Sequence, residues 1–245
     1  MALTDKLTAI ANAIRAKTGG TDQLSLDQMA TAISGISGGV EEPYIKETYA
    51  STNLTAVEMV GHTSIRSYAF YNCSSLTTIS MPSSIHSIGN SAFYGCSKLV
   101  LNSLPSTVTS IGNSAFYECS KLALTTLPSA IRKINTQSFY DCSDLALTSL
   151  PSNLQIIAAY AFKGCSKLAL TTIPSSVTTI YANAFTSCTG LTTLTFEGIP
   201  TTIANVAFAN CTNLTTINVP WAEGAVANAP WGATNATINY DYTEA

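Results

Sequence analysis

The sequence predicts a repeat solenoid with short parallel β-strands and 3₁₀ or helical turns, preceded by an N-terminal helical hairpin. Three observations predict it. Seven cysteines stand at Cys73, Cys96, Cys119, Cys142, Cys165, Cys188 and Cys211, every interval being 23. An aromatic residue precedes each by three positions, at Phe70, Phe93, Phe116, Phe139, Phe162, Phe185 and Phe208, and a leucine follows each by three, from Leu76 to Leu214. Ahead of this array, residues 3–36 place apolar residues at helical spacing.

The first element, 1–37, reads as the hairpin. Leu3, Leu7, Ile10 and Ile14 line one helical face, and Thr18, Gly19 and Gly20 end it. Ser25 and Gln28 then form a capping-box pattern before Leu26, Met29, Ile33 and Ile36. The hairpin has two readings, a cap over the first coil or a module for attachment or self-association. Gly35, Gly38 and Gly39 mark a hinge, and 38–53 form a linker and the entry to the first coil.

Residues 54–220 are the solenoid of seven units. A 23-residue unit is too small to bury its own apolar side chains, so stacked units must share a core of Leu, Ile, Phe and Cys ladders. Proline recurs nine residues after Cys at Pro82, Pro105, Pro128, Pro151, Pro174 and Pro220, and isoleucine fifteen after at Ile88, Ile111, Ile134, Ile157, Ile180 and Ile203. The segment from Leu76 to Met81 and the segment from Ile85 to Ile88 are expected as short parallel strands, the proline ending the first ladder on one side. Ala-Phe-x-x-Cys is expected as a helical or 3₁₀ turn. One unit departs: between Cys188 and Cys211 the proline falls at Pro200, three places late, which predicts a local bulge around Phe196, Glu197 and Gly198. Residues 221–245 are aromatic, and Trp221 and Trp231 are expected to cap the open core of the last coil.

The run CSSLTTISMPSSIHSIGNSAFYGCSKL resembles the BspA-like leucine-rich repeat of bacterial surface proteins and of some phage and parasite proteins. That resemblance covers roughly Leu54 to Pro220. It implies a right-handed leucine-rich-repeat solenoid and a binding role such as adhesion, and it brings no catalytic residues. The string ANAIRAKTGGTDQLSLDQMATAI resembles N-terminal segments of tail-associated proteins from phages and prophages of Gram-positive gut bacteria. The C-terminal segment is similar to tails of related repeat proteins in that group.

Composition narrows the partners. Apolar residues make up 46% of the 245, and only 10% are charged, against about 25% in ordinary domains. The surface is therefore built from Ser, Thr and Asn. A net charge of −3 with no basic cluster argues against nucleic acid. No run reaches the roughly 20 apolar residues of a membrane span. Asp5 and Lys6 interrupt the stretch where a secretory signal would be apolar, so the chain is expected either to stay inside the cell that makes it or to leave by a route without a cleaved signal, such as a virion released by lysis.

The cysteine ladder invites metal or disulfide chemistry. Zinc sites need Cys pairs two to four apart, or Cys with His, and the histidines here are His62 and His86 alone. Ladder neighbours would point their Cβ vectors in parallel, which bridges poorly. Buried free thiols are the expectation, with no metal and no cofactor. No nucleophile elbow or phosphate loop occurs. His86 shares its phase with Thr109, Arg132, Gln155 and Thr178, as a solvent-facing position does. Glu41 and Glu42 precede Pro43 in the linker, where solvation explains them. No catalytic residue is assigned and no enzyme is expected.

One surface feature stands out. The residue after the core Phe is Tyr71, Tyr94, Tyr117 and Tyr140, then Lys163, Thr186 and Ala209. Such a stripe is either packing between coils or a contact strip, because Tyr offers a rigid amphipathic surface at low entropic cost. Tyr68, Tyr160 and Tyr181 lie near enough in sequence to widen it. The function expected from all of this is binding: a phage or prophage tail-associated protein recognising a host-surface glycan or protein, with other virion proteins or a second copy held through the hairpin, located in the virion or outside the cell after lysis. Two alternatives remain, a bacterial surface adhesin whose signal is missing and an intracellular interaction or inhibitor protein.

Overall fold

The computed structural model describes residues 54–59 and 61–243. The hairpin expected over 1–37 and the linker over 38–53 lie outside them. The described chain is a parallel β-solenoid of stacked coils. Its strands are β1 (Ala56–Glu58), β2 (Ser64–Ile65), β3 (Thr78–Ser80), β4 (Ser87–Ile88), β5 (Ser110–Ile111), β6 (Lys133–Ile134), β7 (Ile156–Ile157), β8 (Thr172–Ile173), β9 (Thr179–Ile180), β10 (Thr193–Phe196), β11 (Thr202–Ile203), β12 (Thr216–Asn218) and β13 (Thr237–Asn239).

The strands make two walls. One wall carries β1–β3 and β8–β10–β12–β13, the other β2–β4–β5 and β6–β7–β9–β11. All pairs are parallel, and Ile65 faces Ile88, Ile156 faces Thr179, and Leu194 faces Ile217, each one period apart. Each strand is short because a wall takes only two to four residues before the chain turns. In parallel register the same side chain recurs at every rung. Phe70, Cys73, Leu76 and their equivalents are therefore buried in rows, from 0% to 3% exposed. The phenylalanines stack face to face from Phe70 to Phe208 at centroid distances of 5.0 to 5.6 Å.

The first wall is built from two kinds of segment, and the coil of Leu168 combines them, with Leu170 buried and β8 following it. In the coils of Leu76, Leu191 and Leu214, the next inward residue is three places on, at Ile79, Leu194 and Ile217, and a strand forms. In those of Leu99, Leu122 and Leu145 an extra leucine sits two places on, at Leu101, Leu124 and Leu147, and fills the core. These three coils have no assigned strand on that wall.

The third side of each coil corrects the expected helical turn. No helix of either kind occurs among the described residues. Overlapping β-turns replace it: Ala69 N–H donates to Arg66, Tyr71 to Tyr68, Cys73 to Phe70 and Leu76 to Cys73. The residues between them reach out of the coil, with Tyr68, Phe70 and Asn72 donating to Asn90, Ala92 and Tyr94 of the next one. A helix would need those N–H groups for its own carbonyls. The alternation also holds Tyr68 (φ 63°) and Asn72 (φ 58°) left-handed, and the same two phases are left-handed at Ser91, Ser114, Gln137 and Tyr160, and at Glu118 and Asp141. Each costs about 1–2 kcal/mol for a residue with a Cβ, and the inter-coil bonds offset it.

Hydrogen bonds run in opposite senses on the two kinds of side. On the turn side N–H groups point to the following coil. On the strand walls they point to the preceding one, as from His86 to Thr63 and from Gly112 to Ile88.

The odd unit is also corrected. Phe196 is not bulged but ends β10, 2% exposed, at the phase of Met81 and Leu104. Glu197 N–H still pairs with Ile173. Pro200 fills the buried phase of Val177, and Ile199 is the outlier at 59% exposed. The chain keeps register because the buried phases stay filled by apolar residues. The C-terminal segment adds a further, divergent coil: Phe208 N–H donates to Trp231, 23 residues on, and β12 pairs with β13 at Thr216 and Thr237. Phe196, Trp221 and Trp231 cluster at 5.4 to 6.4 Å.

Close approach of coils fixes Gly112. A Cβ there would lie 2.6 Å from the Asn90 backbone N and 2.7 Å from the Gly89 carbonyl carbon. Gly112→Ala is expected to lower stability by about 1–3 kcal/mol, the usual cost of overpacking, read from the urea midpoint. A midpoint equal to that of the parent would show that the coils part more easily than this spacing allows.

Candidate functional site

The tyrosine strip is built by the turns. Each ring follows a core Phe, so as the Phe points inward its neighbour points out at the rim. The repeat then sets one ring above the next: Tyr71 on Tyr94 at 4.8 Å and 21°, Tyr94 on Tyr117 at 4.5 Å and 1°, Tyr117 on Tyr140 at 4.4 Å and 11°. Tyr71 is exposed, and the other three are half-buried. Tyr68 tilts against Tyr71 at 57° and 5.8 Å.

Lys163 closes the other end. It stands at the same phase, donates from Nζ to the Tyr140 hydroxyl at 2.8 Å, and lies 4.8 Å from the Tyr140 centroid and 5.9 Å from that of Tyr160. That bond holds its ammonium above the ordinary lysine pKa. Thr186, next in the row, is buried and bonded to Asn183. The structure thus brings together Tyr68, Tyr71, Tyr94, Tyr117, Tyr140 and, through Lys163, Tyr160. Tyr181, 50% exposed, makes no ring contact among the described residues.

This geometry decides what the strip can offer. Stacking spends the faces of the inner rings on one another. What faces solvent is a row of ring edges and hydroxyls, its end faces met by Tyr68 and by Lys163. Burial and the neighbouring phenols Tyr140 and Tyr94, helped by Glu118, push Tyr117 up to about 12. Burial and Glu118 raise Tyr94 as well. Tyr94 and Tyr117 are therefore neutral, hydrogen-bonding phenols at physiological pH. On the other flank of the Cys turn, Asp144 holds both Lys167 (2.7 Å) and Lys121 (3.1 Å), and their hydrogen bonds lower its carboxyl. These ions are exposed, where such pairs contribute little stability.

The cysteines serve the core. All seven are buried, and none is joined in a disulfide. From Cys96 to Cys211 each Sγ donates at 3.0 Å to a Phe carbonyl of the preceding coil, Cys96 to Phe70 and Cys211 to Phe185 being the first and last. Burial pushes the thiols up, to about 11 for Cys73 and Cys211, about 12 for Cys96, and well above the thiol range for Cys119, Cys142 and Cys188. Thiolate is the reactive form. An aromatic disulfide reagent at pH 8 is accordingly expected to label none of the seven in the native protein and all seven in guanidinium. Fast labelling of even one would mean that the stack opens locally.

Sequence reasoning missed Lys163 as the end of the strip, although its phase made it legible. It also missed the thiol–carbonyl bonds, which no residue pattern encodes. Among the described residues no group of three or more His, Cys, Asp or Glu could hold a metal ion, and no helix is long and apolar enough to cross a membrane.

Comparison with known proteins places this geometry. The family model for the BspA type leucine rich repeat region matches residues 45–169 and 132–223. The chain is similar to a solved leucine rich cell surface protein of Faecalibacterium prausnitzii, with 29% identity and a TM-score of 0.55 over 68% of this chain and 55% of that one. It is also similar to a Treponema pallidum leucine-rich-repeat protein, 28% identical with a TM-score of 0.44 over 68% and 72% of the two chains. A Bacteroides ovatus leucine-rich-repeat protein is 23% identical with a TM-score of 0.45 over 76% and 60%. The chain spans little more than half the length of the F. prausnitzii protein. No curated protein matches it at a significant level.

Proposed function

Because this chain belongs to the BspA-type leucine-rich-repeat family, we propose that it is a non-catalytic binding protein that docks on a surface glycan or protein through its tyrosine strip. The observation that carries the reading is the strip itself: four tyrosines in a rigid row, flanked by exposed Tyr68 and Tyr160. Little side-chain entropy remains to be lost there on binding, and the hydroxyls are already aligned. A place at a cell surface fits the F. prausnitzii relative, itself a cell surface protein.

Labelled protein on whole bacterial cells or host epithelial cells tests this. Replacing Tyr71, Tyr94 and Tyr117 by Ala is expected to reduce saturable binding at least about ten-fold, the effect of removing aromatic anchors, while the urea midpoint shows the coils intact. Undiminished binding by the folded variant would remove the strip from the account.

A second reading has its own support. The string ANAIRAKTGGTDQLSLDQMATAI resembles tail-associated phage proteins, so the chain is a virion component in this reading, attached to virion proteins or to itself by residues 1–37. Immunodetection in purified particles from an induced lysogen tests it. Recovery with virions supports it, and recovery only with host envelopes overturns it.

A further inference from the structure

We propose that Tyr94 and Tyr117 form a dityrosine site, at which a peroxidase-class oxidant with hydrogen peroxide joins adjacent coils through a carbon–carbon bond ortho to the two hydroxyls. The proposal stands apart from the binding reading. Each phenol gives up one electron and one proton. The two phenoxyl radicals couple at their ortho carbons, and loss of the hydrogen from each of those carbons to the phenoxyl oxygens restores both rings. The two electrons and two protons reduce one hydrogen peroxide to two waters.

Coupling of free phenols is limited by the meeting of two radicals. Here the rings are already stacked, 4.5 Å apart and 1° from parallel. Both are half-buried at the rim, within reach of an oxidant. Charge selects this pair from the row. The Lys163 ammonium sits 4.8 Å from the Tyr140 centroid and opposes loss of an electron there. The Glu118 carboxylate acts on both Tyr94 and Tyr117 and favours it. Tyr68 meets Tyr71 only at 57° and 5.8 Å. Competing oxidisable groups are withdrawn: the seven thiols are at most 3% exposed, as are Trp221 and Trp231, and protonated thiols react slowly with peroxide.

The test is oxidation of the dilute full chain with a haem peroxidase and limiting peroxide, followed by tryptic mapping. Tyr94 lies in the peptide Ser67–Lys98, Tyr117 in Leu99–Lys121 and Tyr140 in Ile134–Lys163. The expected product is Ser67–Lys98 joined to Leu99–Lys121, less two hydrogens, within a single chain, at least about ten-fold more abundant than in guanidinium, as proximity dictates. Tyr117→Phe should abolish that product with the fold intact. Lys163→Met, which also removes that cleavage site, should move part of the coupling to Leu99–Lys121 with Ile134–Lys167. Equal yield from folded and denatured chains, or joining only between chains, would overturn the proposal.

Discussion

Raising the pH from 8 to 10 is expected to unfold the solenoid outright. An unfolded cysteine ionises near 9.0, whereas burial holds the folded thiols at about 11 or higher. A folded pKa raised above the unfolded one means stability that is complete below pH 9 and lost as pH climbs toward the folded value. Between those limits each thiol removes about 1.4 kcal/mol per pH unit. Seven thiols therefore give a slope of roughly 8–10 kcal/mol per pH unit, against a total of about 5–15 kcal/mol for an ordinary domain. Tyr117, raised from 10.0 to about 12, adds in the same direction at the upper end. Urea midpoints from pH 7 to 10 check this, and Cys→Ala at Cys119 and Cys142 should flatten the curve. A midpoint indifferent to pH up to 10 would mean that the thiols ionise as readily folded as unfolded.

The second large effect is expected at the centre of the phenylalanine stack. Phe116 is fully buried between Phe93 at 5.2 Å and Phe139 at 5.6 Å. Phe116→Ala should cost about 3–5 kcal/mol, from lost transfer free energy and the cavity left behind. A solenoid couples only neighbouring coils, so the damage should also divide the unfolding. Trp221 and Trp231 report the C-terminal end, while circular dichroism reports every coil. In the parent the two signals should coincide. In the variant the N-terminal coils should melt first and the tryptophan signal later. Coincident transitions shifted by under about 1 kcal/mol would mean that the stack relaxes to fill the gap.

Much of this fold was legible because a period of 23 leaves few ways to bury Phe70, Cys73, Leu76 and Ile88 together. The rows these residues form need no knowledge of local propensity. The turn side was not legible for the opposite reason. Ala-Phe-x-x-Cys looks helical locally, yet Phe70 N–H is claimed by Ala92 in the next coil, a bond between residues 22 apart. Nothing in the letters Tyr68, Gln137 or Glu118 announces a left-handed backbone either, because the stack imposes it. Trp231 could have been found by counting on from Phe208, but a change of residue type hid the rung. The strip was readable as a row of tyrosines. That its inner faces are spent on stacking follows only from the coil-to-coil distance.

The opposed hydrogen-bond directions on the turn side and the strand walls bear on how such a molecule grows. Peptide dipoles pointing up one side oppose those pointing down the others, so they do not all add along the stack as they do along a helix. An inserted or deleted coil meets neighbours that offer the same hydrogen-bonding groups in the same sense. Coils can thus be gained or lost in whole 23-residue units without a change of register.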